Sequence, residues 1–275
     1  MPITNVNGYE VFYYDDDFTD PWRRRETILI NHYGVGDSTL YRRYVPILAR
    51  DYRVIRWDRV GHGKSQKPPR DYQLTVEGIL SDFVAFLDAL GLQRVHFFGD
   101  KVACAIGIAL AATHPDRIKT LTLASSFLHV QRSRDNFIRQ AAQIRDEGSW
   151  VNAFGAYARR DHDHQTFEER MRDLYYQQVW ASVPAHVTSA AFSLVQDPAF
   201  DLTSLLSQVQ CPTLLLSPTN GGALVTMEEQ ELIRTTIPQC EQAVFEGGTS
   251  SLPYEQQEWC AEQTLSFIRR HTDRS

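Results

Sequence analysis

Two hydrophobic patterns divide the chain. Toward both ends, short apolar runs alternate with segments of helical spacing, and between them lies a long stretch of helical spacing only. The short runs at 9–14, 27–31, 52–57, 95–98 and 120–124 read as strands. Residues 40–48 and 75–90 carry helical periodicity. The second segment places Ile79, Phe83, Phe86, Leu87 and Leu90 on one face and ends at Gly91. After Ser126 the alternation stops, and helices are expected near 135–147, 149–159, 166–178 and 184–195. It resumes with a strand at 211–216, a helix at 228–236, a strand at 242–245 and a closing helix at 253–271. Strand–helix alternation predicts an α/β fold, with a mostly parallel sheet covered by helices on both faces. Residues 1–126 and 196–275 then form the core, and 127–195 an inserted helical cap.

Composition narrows the partners. With 275 residues, 43% of them hydrophobic, the chain suffices for one large domain with an insertion. The net charge of -6 and the lack of a long basic run speak against nucleic acid. No apolar run reaches membrane-spanning length, and the first residues lack a signal-peptide layout. Cys104, Cys211, Cys240 and Cys260 stand apart without metal-ligand spacing, as expected of reduced thiols in a cytoplasmic protein. The expectation is a small-molecule substrate with no metal, no cofactor and no membrane partner; a homodimer stays open.

The chemistry centres on Gly99-Asp100-Lys101-Val102-Ala103, between the strand at 95–98 and a run of small apolar residues with high helix propensity. Strand, tight turn and helix make the setting of a nucleophile elbow, a Gly-x-nucleophile-x-Gly turn that lifts one side chain out of the sheet. Here Lys101 holds the nucleophile position, and Ala103 replaces the last glycine.

With this elbow, the loop after TILIN, DRVGHGKS at 58–65 and PTLLL at 212–216, the sequence resembles the α/β-hydrolase family over nearly its whole length. Among subgroups it looks most like the 3-oxoadipate enol-lactonases and related small-molecule esterases, through HPDRIKTLTLAS at 114–125 and IRQAAQIRDEG at 138–148. The resemblance implies a Ser-Asp-His triad, and none of its members is present. Lys101 replaces the serine. The loop at 217–222 has no carboxylate for the acid, so Asn220, Gly221 or Gly222 is the equivalent. Thr249 best matches the histidine, with Ser250 next. Without an imidazole at the elbow, a serine-type acyl-enzyme mechanism is not expected.

Backbone donors do not depend on side-chain identity, so an oxyanion hole from Val102 and Gly34 is expected to outlive the triad. A helix N-terminus and apolar walls both disfavour an ammonium. Lys101 is therefore expected to act as a neutral amine, either general base or Schiff-base nucleophile. The alternative is a lysine that merely fills the vacated space. His32 and Tyr33 in the oxyanion loop are candidate catalytic partners, with packing under the cap as the competing reading. Asp100, Ser125, His129, Trp150, Tyr157, Trp180 and Ser250 are expected around the pocket. His62 and His96 read as structural, and the Asp161-His162-Asp163-His164 run as a solvated turn rather than a metal site. Three functions compete: non-hydrolytic chemistry on a small carbonyl compound (lyase, decarboxylase, cyclase or isomerase type), residual ester, lactone or carbon–carbon bond hydrolysis, and ligand binding without catalysis.

Overall fold

The computed structural model describes residues 2–22, 25–128, 130–158, 166–222 and 224–272. It arranges eight strands in one sheet, in the order β1-β2-β4-β3-β5-β6-β7-β8. β1 (Ile3–Val6) and β2 (Tyr9–Asp16) form an antiparallel hairpin, and β2 also pairs antiparallel with β4 (Arg53–Trp57). The pairings through β3 (Thr27–Asn31), β5 (Val95–Asp100), β6 (Ile118–Ala124), β7 (Thr213–Asn220) and β8 (Cys240–Thr249) are all parallel. The expected mostly parallel sheet is therefore present, with one strand, β1, that the hydrophobic pattern did not reveal. Its signal was the Asn7-Gly8 turn, where both residues take positive φ, 50° and 92°, as a two-residue hairpin requires.

Alternate strand residues feed two cores. On one face Leu29, Ile55 and Phe97 pack with Phe83 and Phe86 of α2 (Val76–Ala89) and with Ile108 of α3 (Val102–Thr113). On the other, Ile28, Ile30 and Phe98 pack with Tyr41, Tyr44 and Phe267 of α10 (Gln257–Thr272). Adjacent Phe97 and Phe98 fall into different cores because successive strand side chains point to opposite faces. Both are buried, so the central strands read as continuous apolar runs.

The segment at 40–48 is a 3-10 helix (Ser38–Tyr44) followed by one α turn, α1 (Val45–Leu48). The closing helix is split in two: α9 (Leu252–Glu255) precedes α10. Between β6 and β7 lie α4 (Val130–Glu147), α5 (Trp150–Ala158), α6 (Phe167–Ser182) and α7 (Ala185–Ser193), with no strand among the described residues there. A capping box between Thr166 and Glu169 starts α6. α8 (Met227–Thr236) joins β7 to β8.

At the end of the sheet remote from the elbow, a polar cluster is fully paired. Glu26 accepts from Lys119 Nζ and, at 3.1 Å, from His96 Nε2, while His96 Nδ1 lies 2.9 Å from the Thr120 hydroxyl. The hydrogen bond from His96, helped by Lys119, lowers the Glu26 pKa to about 2. Burial lowers that of His96 despite the neighbouring carboxylate. His96 is structural, as expected.

Candidate active site

β5 runs directly into α3 through a single residue, Lys101, whose φ of 52° and ψ of -116° lie outside the regions a side-chain-bearing residue favours. Its N–H donates to the Ala124 carbonyl at 3.1 Å and ties the turn to β6. The turn is this tight because α3 passes close over Gly99, where a Cβ would lie 2.7 Å from the Ala103 carbonyl oxygen.

The Lys101 side chain enters a cavity of about 1010 Å³ between the carboxyl ends of the strands and the helical insertion. Its Nζ sits 5.0 Å from the ring centroid of Tyr33 and 5.1 Å from that of Tyr254, and the two rings are 5.4 Å apart. Two electron-rich faces converging on one Nζ form a cation–π seat.

Beneath the elbow, Asp100 is completely buried. Its Oδ2 accepts from the hydroxyls of Tyr41, at 2.8 Å, and Tyr254, and Oδ1 has no hydrogen-bond partner. Burial raises the Asp100 pKa, while the Lys101 charge and then the two phenols oppose the rise. Burial, reinforced by the Asp100 charge, lifts the phenols of Tyr33, Tyr41 and Tyr254 well above their ordinary range. These tyrosines are therefore neutral donors.

Lys101, Tyr33, Gly34, Val102, Trp150, Trp180 and Ser250 all line the cavity. Val102 is the first residue of α3, where an N–H has no intrahelical acceptor. A Cβ on Gly34 would lie 3.7 Å from Val102 Cγ1, so the loop after β3 abuts the elbow. Trp150 and Trp180 meet edge to face at 5.0 Å on the insertion side.

Other expected members fall elsewhere. His32 is buried away from the cavity: Nδ1 donates to the Tyr33 carbonyl at 2.7 Å and Nε2 accepts from the Arg59 N–H at 3.1 Å. With both ring nitrogens committed, and with burial followed by the Arg59 charge holding its pKa well down, His32 anchors the loop and is no proton carrier. Asp100 and Ser125 lie behind the elbow rather than on the cavity wall, because both are fully buried at the ends of β5 and β6. Asn220 is exposed at the tip of β7, in register with Thr249, and does not reach the cavity. Thr249 lies behind the wall as well, donating to Glu255 at 3.0 Å. His129, the Asp161–His164 run and the Tyr157 side chain lie outside the described residues. Among the described residues, no group of three or more His, Cys, Asp or Glu is placed to hold a metal ion. No helix there is long and apolar enough to cross a membrane.

The motif at 58–65 braces the site from outside. Asp58 accepts from the Ser38 and Lys64 N–H groups, both at 2.8 Å, and a Cβ at Gly63, whose φ is 44°, would collide with its carboxylate. His62 Nε2 lies 3.1 Å from the Gly34 carbonyl, a structural role as expected. Sequence reasoning missed Tyr41, Tyr254 and Glu255. Tyr254 and Glu255 line the cavity, and they occupy one short helix just past Thr249.

A parallel sheet with a tight strand–turn–helix elbow opening on a cavity, braced by the loop at 58–65, is the architecture of α/β hydrolases. A family model described as the alpha/beta hydrolase fold matches residues 26–253, and the chain belongs to that family. It is 22% identical over 252 residues to a putative carbamate hydrolase, RutD, from Pseudomonas savastanoi pv. phaseolicola, covering 83% of this chain and 90% of that one. It is 24% identical over 211 residues to the karrikin insensitive 2 receptor IA of Petunia hybrida, covering 72% and 74%. Among solved structures, the enol-lactonase from Burkholderia xenovorans LB400 superposes with a TM-score of 0.84 at 21% identity, covering 97% of this chain and 99% of that one. A likeness at that identity is one of fold.

Proposed function

We propose that the protein is an enzyme acting on a small carbonyl compound, in which the Lys101 ammonium holds negative charge as it develops on the carbonyl oxygen. The observation that carries this is the placement of Lys101: at the elbow, inside the cavity, over the faces of Tyr33 and Tyr254. Aromatic faces and a nearby carboxyl favour the cation, so the reading moves from amine chemistry to electrostatic stabilisation. The Val102 N–H at the start of α3 adds a second donor on the same side. Enolate-forming reactions fit this arrangement, and isomerase, decarboxylase, lyase or cyclase chemistry is the class proposed. Hydrolysis through an acyl-enzyme does not fit, since Thr249 brings no imidazole to the elbow.

Turnover of a panel of β-keto acids, enol lactones and 1,3-diketones tests the proposal, with p-nitrophenyl acetate alongside. The wild type is expected to turn over an enolate-forming member without a burst on the ester. Borohydride is expected to trap no adduct. A borohydride-trapped adduct at Lys101 would replace the cation by a Schiff-base nucleophile. The loss of all three triad members also favours a second reading, a ligand receptor, since one relative carries a receptor's name. Ligand-dependent melting without turnover of any panel member would establish that reading instead.

A further inference from the structure

An enolate needs a base as well as a cation, and the histidine that would serve is absent. The space beside its former position is occupied by a carboxylate. Glu255 lines the cavity, and its Oε2 accepts from the Thr249 hydroxyl at 3.0 Å. The Thr249 hydroxyl is the donor in that bond, since a carboxylate only accepts, and its oxygen also accepts from the Ser251 N–H at 3.1 Å. The backbone of the turn is fixed as well. The Glu255 N–H donates to the Ser251 carbonyl at 3.0 Å, and the neighbouring Tyr254 hydroxyl is anchored on buried Asp100. Thus Thr249 orients the carboxylate, and the residue just before Glu255, Tyr254, supplies a ring that seats Lys101.

We propose that Glu255 is the base of this cavity, removing a proton from carbon while the Lys101 ammonium holds the resulting charge; this rests on the reading of Lys101 given above. In the step, the C–H bond breaks and the proton passes to a Glu255 carboxylate oxygen. The C–H electron pair becomes the carbon–carbon double bond of the enolate. The carbonyl π pair moves onto the oxygen facing Lys101 and Val102. On a β,γ-unsaturated carbonyl compound the anion is a dienolate: Glu255 returns the proton to the γ carbon, the oxygen pair re-forms the carbonyl, and the double bond moves to the α,β position, so the isomerisation needs no oxidant or further reactant. Asp173 of α6 is the rival carboxylate on the cavity wall, but it lies 3.6 Å from Arg172 Nε on the insertion, whereas Glu255 adjoins the elbow through Tyr254. Apolar side chains, Phe137, Phe154 and Phe192 among them, share the cavity wall with the polar ones.

The test is the Kemp elimination of 5-nitrobenzisoxazole, in which a base takes the C3 proton, the N–O bond breaks and a coloured phenolate forms. It reads a base in an apolar cavity without requiring the natural substrate. The wild type is expected to give saturable elimination. Glu255→Gln should lower kcat by at least about 10²-fold, the usual range for loss of a positioned base. Glu255→Asp, which keeps the charge but withdraws it by one methylene, should also lose rate. Thr249→Val should lower kcat about tenfold with KM little changed, since it removes only the orienting hydroxyl. Thermal melts accompany each variant. If the Gln variant does not fold, Glu255→Asp carries the test. Loss of rate in Lys101→Met with Glu255→Gln unaffected would overturn the proposal and leave the role of Lys101 standing. Loss in Glu255→Gln with Lys101→Met unaffected would do the reverse. Loss confined to Asp173→Asn, or no saturable elimination by the wild type, would also overturn it.

Discussion

Two buried polar clusters sit at opposite ends of the same strands, and they are built differently. At one end Glu26, His96, Lys119 and Thr120 pair with one another, and the backbone around them is ordinary. At the other, Asp100 leaves one carboxylate oxygen without a partner, Ser125 leaves its hydroxyl so, and Lys101 and Ser125 hold positive φ. Buried polar groups without partners and left-handed side-chain-bearing residues each cost on the order of 1–3 kcal/mol. A fold tolerates such costs where geometry is needed for something other than stability. On the proposed reading, the paired cluster is a stabilising device and the strained one the working site.

The contrast is broken most sharply at Lys101. Lys101→Met keeps the length and the strained backbone but removes the charge, so activity should fall by at least about 10²-fold. Its urea midpoint should stay near that of the wild type. Lys101→Arg keeps the charge and should retain part of the activity that Met loses, which separates a cation from an amine.

Glu26→Gln should do the opposite, costing about 2 kcal/mol in urea unfolding while leaving turnover near wild type. The pH dependence has a definite sign. The Glu26 pKa is about 2 in the folded chain against an ordinary 4.5, so its stabilisation is full above about 4.5 and is lost as pH falls toward 2. His96 adds in the same direction: its folded pKa is lowered from 6.5, so the unfolded chain takes up the proton first as pH falls below that value. Unfolding midpoints at pH 3 and pH 7 should therefore differ less in Glu26→Gln than in the wild type.

Tyr254→Phe keeps the ring under Lys101 but strips a phenol from Asp100, and about a tenfold loss of kcat is expected, with KM little changed. The smallest effect is at Ser125. Its hydroxyl has no partner and its φ is 51°, so Ser125→Gly should raise stability by about 1 kcal/mol in urea unfolding.

The sequence showed the strained site's position but not its partners. Lys101 was legible because strand, turn and helix are contiguous, and so was the parallel sheet, because each strand carries its own apolar run. Tyr254 was not, because its hydrogen bond to Asp100 spans 154 residues and no local spacing encodes it. Tyr41 joins the same carboxylate across 59 residues. Glu255 stood six residues past Thr249, but only the split of the closing helix brings its carboxylate back to that hydroxyl. His32 misled for a local reason. It is adjacent to Tyr33, and neighbouring residues leaving a strand point to opposite sides, so one entered the cavity wall and the other the loop's interior.

The central claim is that the Lys101 ammonium at the elbow holds the negative charge that develops on a substrate carbonyl oxygen. Its most direct test is kcat/KM of Lys101→Met against wild type on the enolate-forming panel member turned over fastest, run with and without a serine-directed phosphonate. The account predicts a loss of at least about 10²-fold in the variant and no inhibition of the wild type by the phosphonate. Near-native turnover by Lys101→Met, or wild-type turnover abolished by the phosphonate, would contradict it.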